Sequence, residues 1–245
     1  MKLREHSTAL ADCLDRVTAA LQATLPGLGG DVAIDASDMP AFANGQRFVS
    51  QHGPERERYS DPDASWGHRS AVSTRKGGGF YGFKLQMAVC TATDLPLAWQ
   101  VETARHHESN FVAPLLDKLR ARGFKPRTAA LDKGYDSNRV HAECEQRGIH
   151  PVIPIKGEKA SQIVMPIIEG ATRFNPRIQR HTQEYRDLYR RRVAVEREFG
   201  RLKADYALAP LRVRGLGRVQ LHADLVMLAR LSLALSRARA MALAA

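Results

Sequence analysis

The chain has 245 residues, 44% of them hydrophobic, and carries 37 Lys and Arg against 26 Asp and Glu, a formal charge of +11. A chain of that length and apolar content buries a core of one to two domains unaided, which excludes a disordered chain. Its three cysteines, Cys13, Cys90 and Cys144, lie far apart with no C-x-x-C pair, which excludes a disulfide framework and a cysteine zinc site.

The charge is uneven. Residues 1–100 carry 10 basic and 11 acidic side chains, and residues 173–245 carry 16 and 6. A polyanion, most commonly nucleic acid, is therefore expected to meet the last third of the chain. The 28 Arg against 9 Lys suit bidentate phosphate contacts and equally fit the codon usage of a GC-rich genome. The N-terminus mixes acids with its apolar residues, and the most apolar run, Leu225 to Leu235, is well short of about 20 residues and contains Arg230. The expectation is a cytoplasmic, nucleoid-associated protein with no membrane segment.

Residues 8–24 predict an amphipathic helix that Pro26 and the glycines after it stop. In DVAIDASDM the alternation of Val32 and Ile34 with Ala33 and Asp35 predicts a strand. Residues 43–79, polar and without period, predict a long surface loop, including the self-cancelling run Glu55 to Arg58. FYGFKLQMAVC and LAWQVETA predict two strands joined by a turn at Asp94 and Pro96. A helix follows over HHESNFVAPLLDKLRARG, with His106, His107, Glu108 and Ser109 as its capping region, not a histidine metal site. Then come a short buried strand TAALD, a helix SNRVHAECEQRG, a strand HPVIPIK, about 25 irregular basic residues, and two helices over roughly 183–207 and 218–242. Three strands followed by alternating helix and strand predict a mixed sheet with helices on its faces, the RNase H-like order. Gly77, Gly78 and Gly79 precede a strand, so they are not a phosphate loop.

The 183–207 helix carries the most specific pattern. With Tyr189 at 0° and about 100° per residue, Arg192, Glu196 and Lys203 fall within an arc of about 60° beside it. Leu188, Val195, Phe199 and Leu202 form an adjoining apolar stripe. One carboxylate thus sits at the edge of a buried face beside a ring, a guanidinium and an amine; in isolation it reads as an i, i+4 pair of Arg192 with Glu196. Two strand aspartates change that reading: Asp35, favoured over nearby Asp31 and Asp38 by the alternation before it, and Asp132 in AALDKGYDS. Two strand carboxylates and one helix carboxylate are the hard oxygen donors that two magnesium ions require.

These segments resemble the catalytic blocks of DDE-type insertion-sequence transposases over roughly residues 31–205. IDAS matches the block of the first Asp, ALDKGYDS the Asp-x-Gly-Tyr block, and Tyr189, Arg192, Glu196 and Lys203 the helical signature Tyr-x2-Arg-x3-Glu-x6-Lys. The resemblance implies an RNase H-like α/β fold and catalysis by Asp35, Asp132 and Glu196 holding two Mg²⁺, which Mn²⁺ can replace. It implies double-stranded DNA as partner, contacted by Tyr135, Tyr189, Arg192 and Lys203, and a homodimer bridging two transposon ends. Tyr135 has core packing as an equal alternative to stacking on a splayed base, and Lys84 reads as a solvated lysine more than as a DNA contact. The expected division is an N-terminal helical remnant at 1–30, a catalytic domain at 31–210 with insertions at 43–79 and 158–180, and a C-terminal helix at 211–245. Only 34 residues precede Asp35, too few for a helix-turn-helix domain with its own core. A truncated, solely DNA-binding remnant and a metal-dependent nuclease without strand transfer are the alternatives.

Overall fold

The computed structural model describes residues 7–46, 53–54, 59–69, 76–156, 173–174 and 176–244. The Glu55 to Arg58 run and most of the 158–180 insertion lie outside them. The elements are α1 (Ser7–Thr24), β1 (Asp31–Pro40), β2 (Ser65–Arg69), β3 (Gly78–Cys90), β4 (Pro96–Thr103), α2 (Val112–Ala121), β5 (Thr128–Leu131), α3 (Asn138–Glu145), β6 (His150–Val152), α4 (Gln183–Arg190), α5 (Val193–Asp205) and α6 (Leu216–Ala244), all of them expected but β2 and the division of α4 from α5.

The strands form one sheet in the order β2, β3, β1, β5, β6, with β4 also paired to β3. The long β3 makes this possible: its first residues, Gly78 to Gly82, pair with β2, and Phe83 to Val89 pair with β4 on the same edge. On its other edge β3 runs antiparallel to β1, which is in turn parallel to β5. β1 is therefore central, with Val32, Ala33, Ile34 and Met39 all at 1% exposure or less. Gly82 is required where β3 meets the end of β1, because a Cβ there would stand 2.4 Å from the Met39 carbonyl oxygen.

Two departures from the expected elements have physical causes. β2 lies within the expected 43–79 loop: SWGHR has no apolar inner face, and the strand exists through its pairing with β3. The expected 183–207 helix is two helices. At Arg191 and Arg192 the backbone stays right-handed, but its bonds tighten to i→i+3: Arg192 N–H donates to Tyr189 O at 3.0 Å, and Val195 N–H to Arg192 O at 3.1 Å. Across the junction Arg192 still reaches both the Tyr189 ring and Glu196, so side chains on either side of it share a face.

Helices flank the sheet. α2 packs on β4 and β3, α5 on β1 and β3, and α6 on α1 and β4. α6 is long and apolar enough to cross a membrane. Here Val219, Ala223, Met227 and Leu231 are fully buried in the protein core. The Arg230 that interrupts its apolar run donates to Glu198 of α5 at 2.8 Å, with Glu198 fully buried, so the two charges compensate each other where neither is hydrated. Remote carboxylates cap the start of α6: Gly215 N–H donates to Asp61 and Leu216 N–H to Asp63, both at 2.9 Å. A mixed sheet with a central strand parallel to one neighbour and antiparallel to the other, helices on its faces and helices closing the chain, is the RNase H-like arrangement.

Candidate active site

Register places the first two aspartates. In the parallel pair of β1 and β5, Ile34 lies opposite Leu131, the last matched pair. Asp35 and Asp132 are each the next residue, so two carboxylates leave adjacent strands at the same level. Of the alternatives to Asp35, Asp31 lies at the opposite end of the strand, bonded to Thr128 at 2.8 Å and Arg127 at 2.9 Å, and Asp38 lies 3.6 Å from Arg69.

Each aspartate is held by the backbone that follows it. Asp35 Oδ1 accepts from Ala36 N–H at 2.8 Å, and Asp132 Oδ1 accepts from Lys133 N–H at 2.7 Å, capping the 3-10 turn Lys133–Tyr135. Burial pushes the Asp35 carboxyl up to about 7 against the opposing pull of the Ala36 N–H and Arg192, with the nearby charges of Glu108 and Asp132 adding to the rise. This is a carboxylate whose negative form lacks compensation.

The helical signature converges on Asp35 through Arg192. That guanidinium donates to Glu196 Oε1 at 2.6 Å and reaches Asp35 Oδ2 at 3.4 Å, so it bridges the strand acid and the helix acid. It also lies 5.9 Å over the Tyr189 ring, which stacks on Tyr185 with an interplanar angle of 8°. Lys203, two turns beyond Glu196, donates to Ser37 Oγ at 2.7 Å and Asp38 O at 3.0 Å, clamping α5 onto β1 just past Asp35.

The structure thus brings Asp35, Tyr189, Arg192 and Glu196 together, with Asp132 beside Asp35. Glu196, half exposed, is turned onto Arg192, the i, i+4 contact that the helix alone predicts. Among the described residues no three Asp, Glu, His or Cys side chains converge closely enough to hold one metal ion. Tyr135 is 3% exposed and packs in the core, so of its two expected uses the structure shows packing; its ring offers no face to a base. Its hydroxyl is buried facing Asp35, and burial with the charges of Asp35, Glu108 and Asp132 pushes its ionisation well up, leaving a neutral phenol among carboxylates.

Sequence reasoning missed Glu108 and misread Lys84. Lys84 is not solvated: it is 7% exposed and donates to Glu108 Oε1 at 2.7 Å. The sequence carries no signal of this, because only the fold shows that every residue of FYGFKLQMAVC is buried. A strand buried along its whole length cannot end a lysine in water, so it needs an acid partner. Glu108 opens the 3-10 turn Glu108–Phe111, which the expected capping region does begin: His107 accepts from Ser109 N–H at 3.3 Å.

Residues 27–232 match the family model of the transposase DDE domain, from before β1 to within α6. The chain belongs to that family. No curated protein and no solved structure matches it. Membership makes this a protein of DNA transposition and recombination, of the kind encoded by insertion sequences. The acids of β1, β5 and α5 are the ones the family resemblance selects.

Proposed function

We propose that this transposase-family protein cuts phosphodiester bonds at the ends of a DNA element and joins the freed 3′-hydroxyl to target DNA. The observation that carries the reading is the paired departure of Asp35 and Asp132 from adjacent parallel strands, with Glu196 delivered to Asp35 by Arg192. The donors suit a divalent cation: hard carboxylate oxygens, one of them buried and under-compensated. Asp35, Asp132 and Glu196 would hold two Mg²⁺, or Mn²⁺ in their place. Bound there, the metals supply an activated oxygen nucleophile and stabilise the leaving oxygen.

The protein's own residues do the positioning. Ala36 and Lys133 N–H groups orient one oxygen of each aspartate, leaving the other to face the site. Arg192 holds Glu196 at the edge of the site and offers its guanidinium plane to a phosphate. Lys203 fixes the distance between α5 and β1. Two copies would bridge two element ends.

The test is nicking of a duplex carrying the element's terminal repeats, in Mg²⁺ and in Mn²⁺. Asp132→Asn and Glu196→Gln are each expected to lower the rate at least a hundredfold while duplex binding persists. Nicking that survives both substitutions overturns the assignment. Binding without cleavage in either metal identifies a DNA-binding remnant, and cleavage without joined products identifies a nuclease.

A further inference from the structure

At the end of the sheet remote from Asp35 and Asp132 lies a cavity of about 960 Å³. The starts of β1, β5 and β6 form its floor at Asp31, Thr128 and His150, and segments after α2 and α3 and along α4 form its walls. β5 spans the distance between this floor and Asp132, about 13 Å at roughly 3.3 Å per residue. The two sites therefore occupy opposite ends of the same parallel strands.

Six cations line the cavity: Arg120, Lys125, Arg127, Arg147, Arg177 and Arg191. Three acids, Asp31, Glu184 and Asp187, oppose them. The helix ends of α2 and α3 add a negative pole of roughly half a charge each, which still leaves the lining positive. Three of the cations have partners. Arg127 and Arg191 share Asp31, at 2.9 and 3.4 Å, and Asp117 grips Arg147 through two bonds at 2.7 and 2.8 Å. Arg120, Lys125 and Arg177 are exposed and make no side-chain hydrogen bond or ion pair among the described residues. Of the three, Arg120 acts on Asp117 only through charge at a distance, so hydrogen bonding within the described residues does not account for them.

We infer that this cavity grips the phosphodiester backbone of DNA away from the bond held at Asp35 and Asp132. DNA as the polyanion rests on the transposase reading; the site itself rests on the lining. The lining suits backbone over a free nucleotide, because cations outnumber rings in it: of Phe124 and His150, Phe124 is 1% exposed and offers no face for a base, and His150 is only partly exposed in the floor. Cations without stacking partners position a duplex and read no sequence. Arg191 and Arg192 make the two sites neighbours: at the α4 and α5 junction, one guanidinium faces this cavity and the next bridges the catalytic acids.

The experiment measures duplex affinity of the full chain by fluorescence anisotropy from 50 to 200 mM salt, with a random-sequence duplex. The triple variant Arg120→Ala, Lys125→Ala, Arg177→Ala is expected to retain its melting temperature. Its slope of log affinity against log salt should fall by about 3, close to 0.9 for each lost phosphate contact. An unchanged slope overturns the inference. So does calorimetry in which the wild type binds inorganic pyrophosphate, the triple variant does not, and the DNA slope is the same in both. Failure here is separable from failure of the transposase reading. Metal-dependent nicking with an unaltered slope removes the cavity alone, and an altered slope without any nicking removes the catalysis alone.

Discussion

At the scale of single residues, the Lys84 and Glu108 pair decides how much negative charge surrounds Asp35. Lys84 is buried and Glu108 is its acceptor at 2.7 Å. Replacing Lys84 by Met leaves Glu108 an uncompensated anion beside a carboxyl whose charged form is already disfavoured. Lys84→Met should slow single-turnover nicking by at least tenfold, and adding Glu108→Gln should restore part of that loss. An unchanged rate in Lys84→Met would separate the pair from the site. The three proposed acids are selected by motif and strand pattern, and of that selection the fold shows Asp35 and Asp132 leaving adjacent strands at one level and Arg192 bridging Asp35 to Glu196. The burial of Lys84 was not legible in this way, because a lysine in a strand buried on both faces looks the same in sequence as one on a solvated face. Tyr135 shows the same limit: the Asp-x-Gly-Tyr motif identifies the turn, and only packing decides that its ring points inward.

At the scale of elements, strands and helices with apolar patterns were readable, and those held by partners were not. β2 depends on β3, and the break between α4 and α5 is a tightening of the backbone that leaves the helical side-chain spacing intact. That is why a wheel drawn for one continuous helix still placed Tyr189, Arg192 and Glu196 together. The start of α6 is equally non-local: its exposed N–H groups are capped by Asp61 and Asp63, more than 150 residues earlier. Asp61 is also 1% exposed and accepts from Asp63 N–H at 3.2 Å. Asp61→Ala should cost about 1–2 kcal/mol in a denaturant titration, the usual worth of a helix cap. A loss within a few tenths would show that Asp63 alone suffices.

At the scale of the whole molecule, acid is expected to weaken the fold through a group far from any catalytic role. His141 is fully buried, 3.3 Å from Asp136 Oδ1, and its ionisation is pushed down from 6.5 to about 4 by burial and by Arg180 and Arg173, with Asp136 pulling the other way. The unfolded chain takes up this proton near its ordinary value and the folded chain does not. The stability that His141 contributes is therefore full above about pH 6.5 and declines as pH falls toward 4, by roughly 3 kcal/mol at 1.36 kcal/mol per pH unit. The Arg173 guanidinium and the Lys156 N–H hold Asp136 below its usual range, so its contribution is lost only at lower pH still. In the wild type this loss runs against the gain from protonating Asp35, whose carboxyl is held up to about 7, so the two are separated by variant: melting curves from pH 7 to pH 4 should show His141→Phe gaining stability relative to the wild type as pH falls, and a difference that stays constant with pH would remove His141 as an acid-sensitive group. The overall charge asymmetry was visible in the sequence, but the cavity at the far end of the sheet was not, because its lining is gathered from segments scattered between Asp31 and Arg191.

The parallel pairing of β1 with β5 has a consequence for when a cutting site can exist at all. Asp31 and Thr128, bonded at the start of that pair, are 97 positions apart, and Arg192 lies 157 positions beyond the Asp35 it contacts. Such long loops must close before either contact gives any return, so these pairings form after the local hairpin of β3 and β4. On the ribosome, the strand bearing Asp132 and the helix bearing Glu196 emerge long after Asp35. A nascent chain at that stage has its first acid and nothing to complete it. On the proposed reading, competence to cut arrives only after the helix bearing Glu196 has emerged.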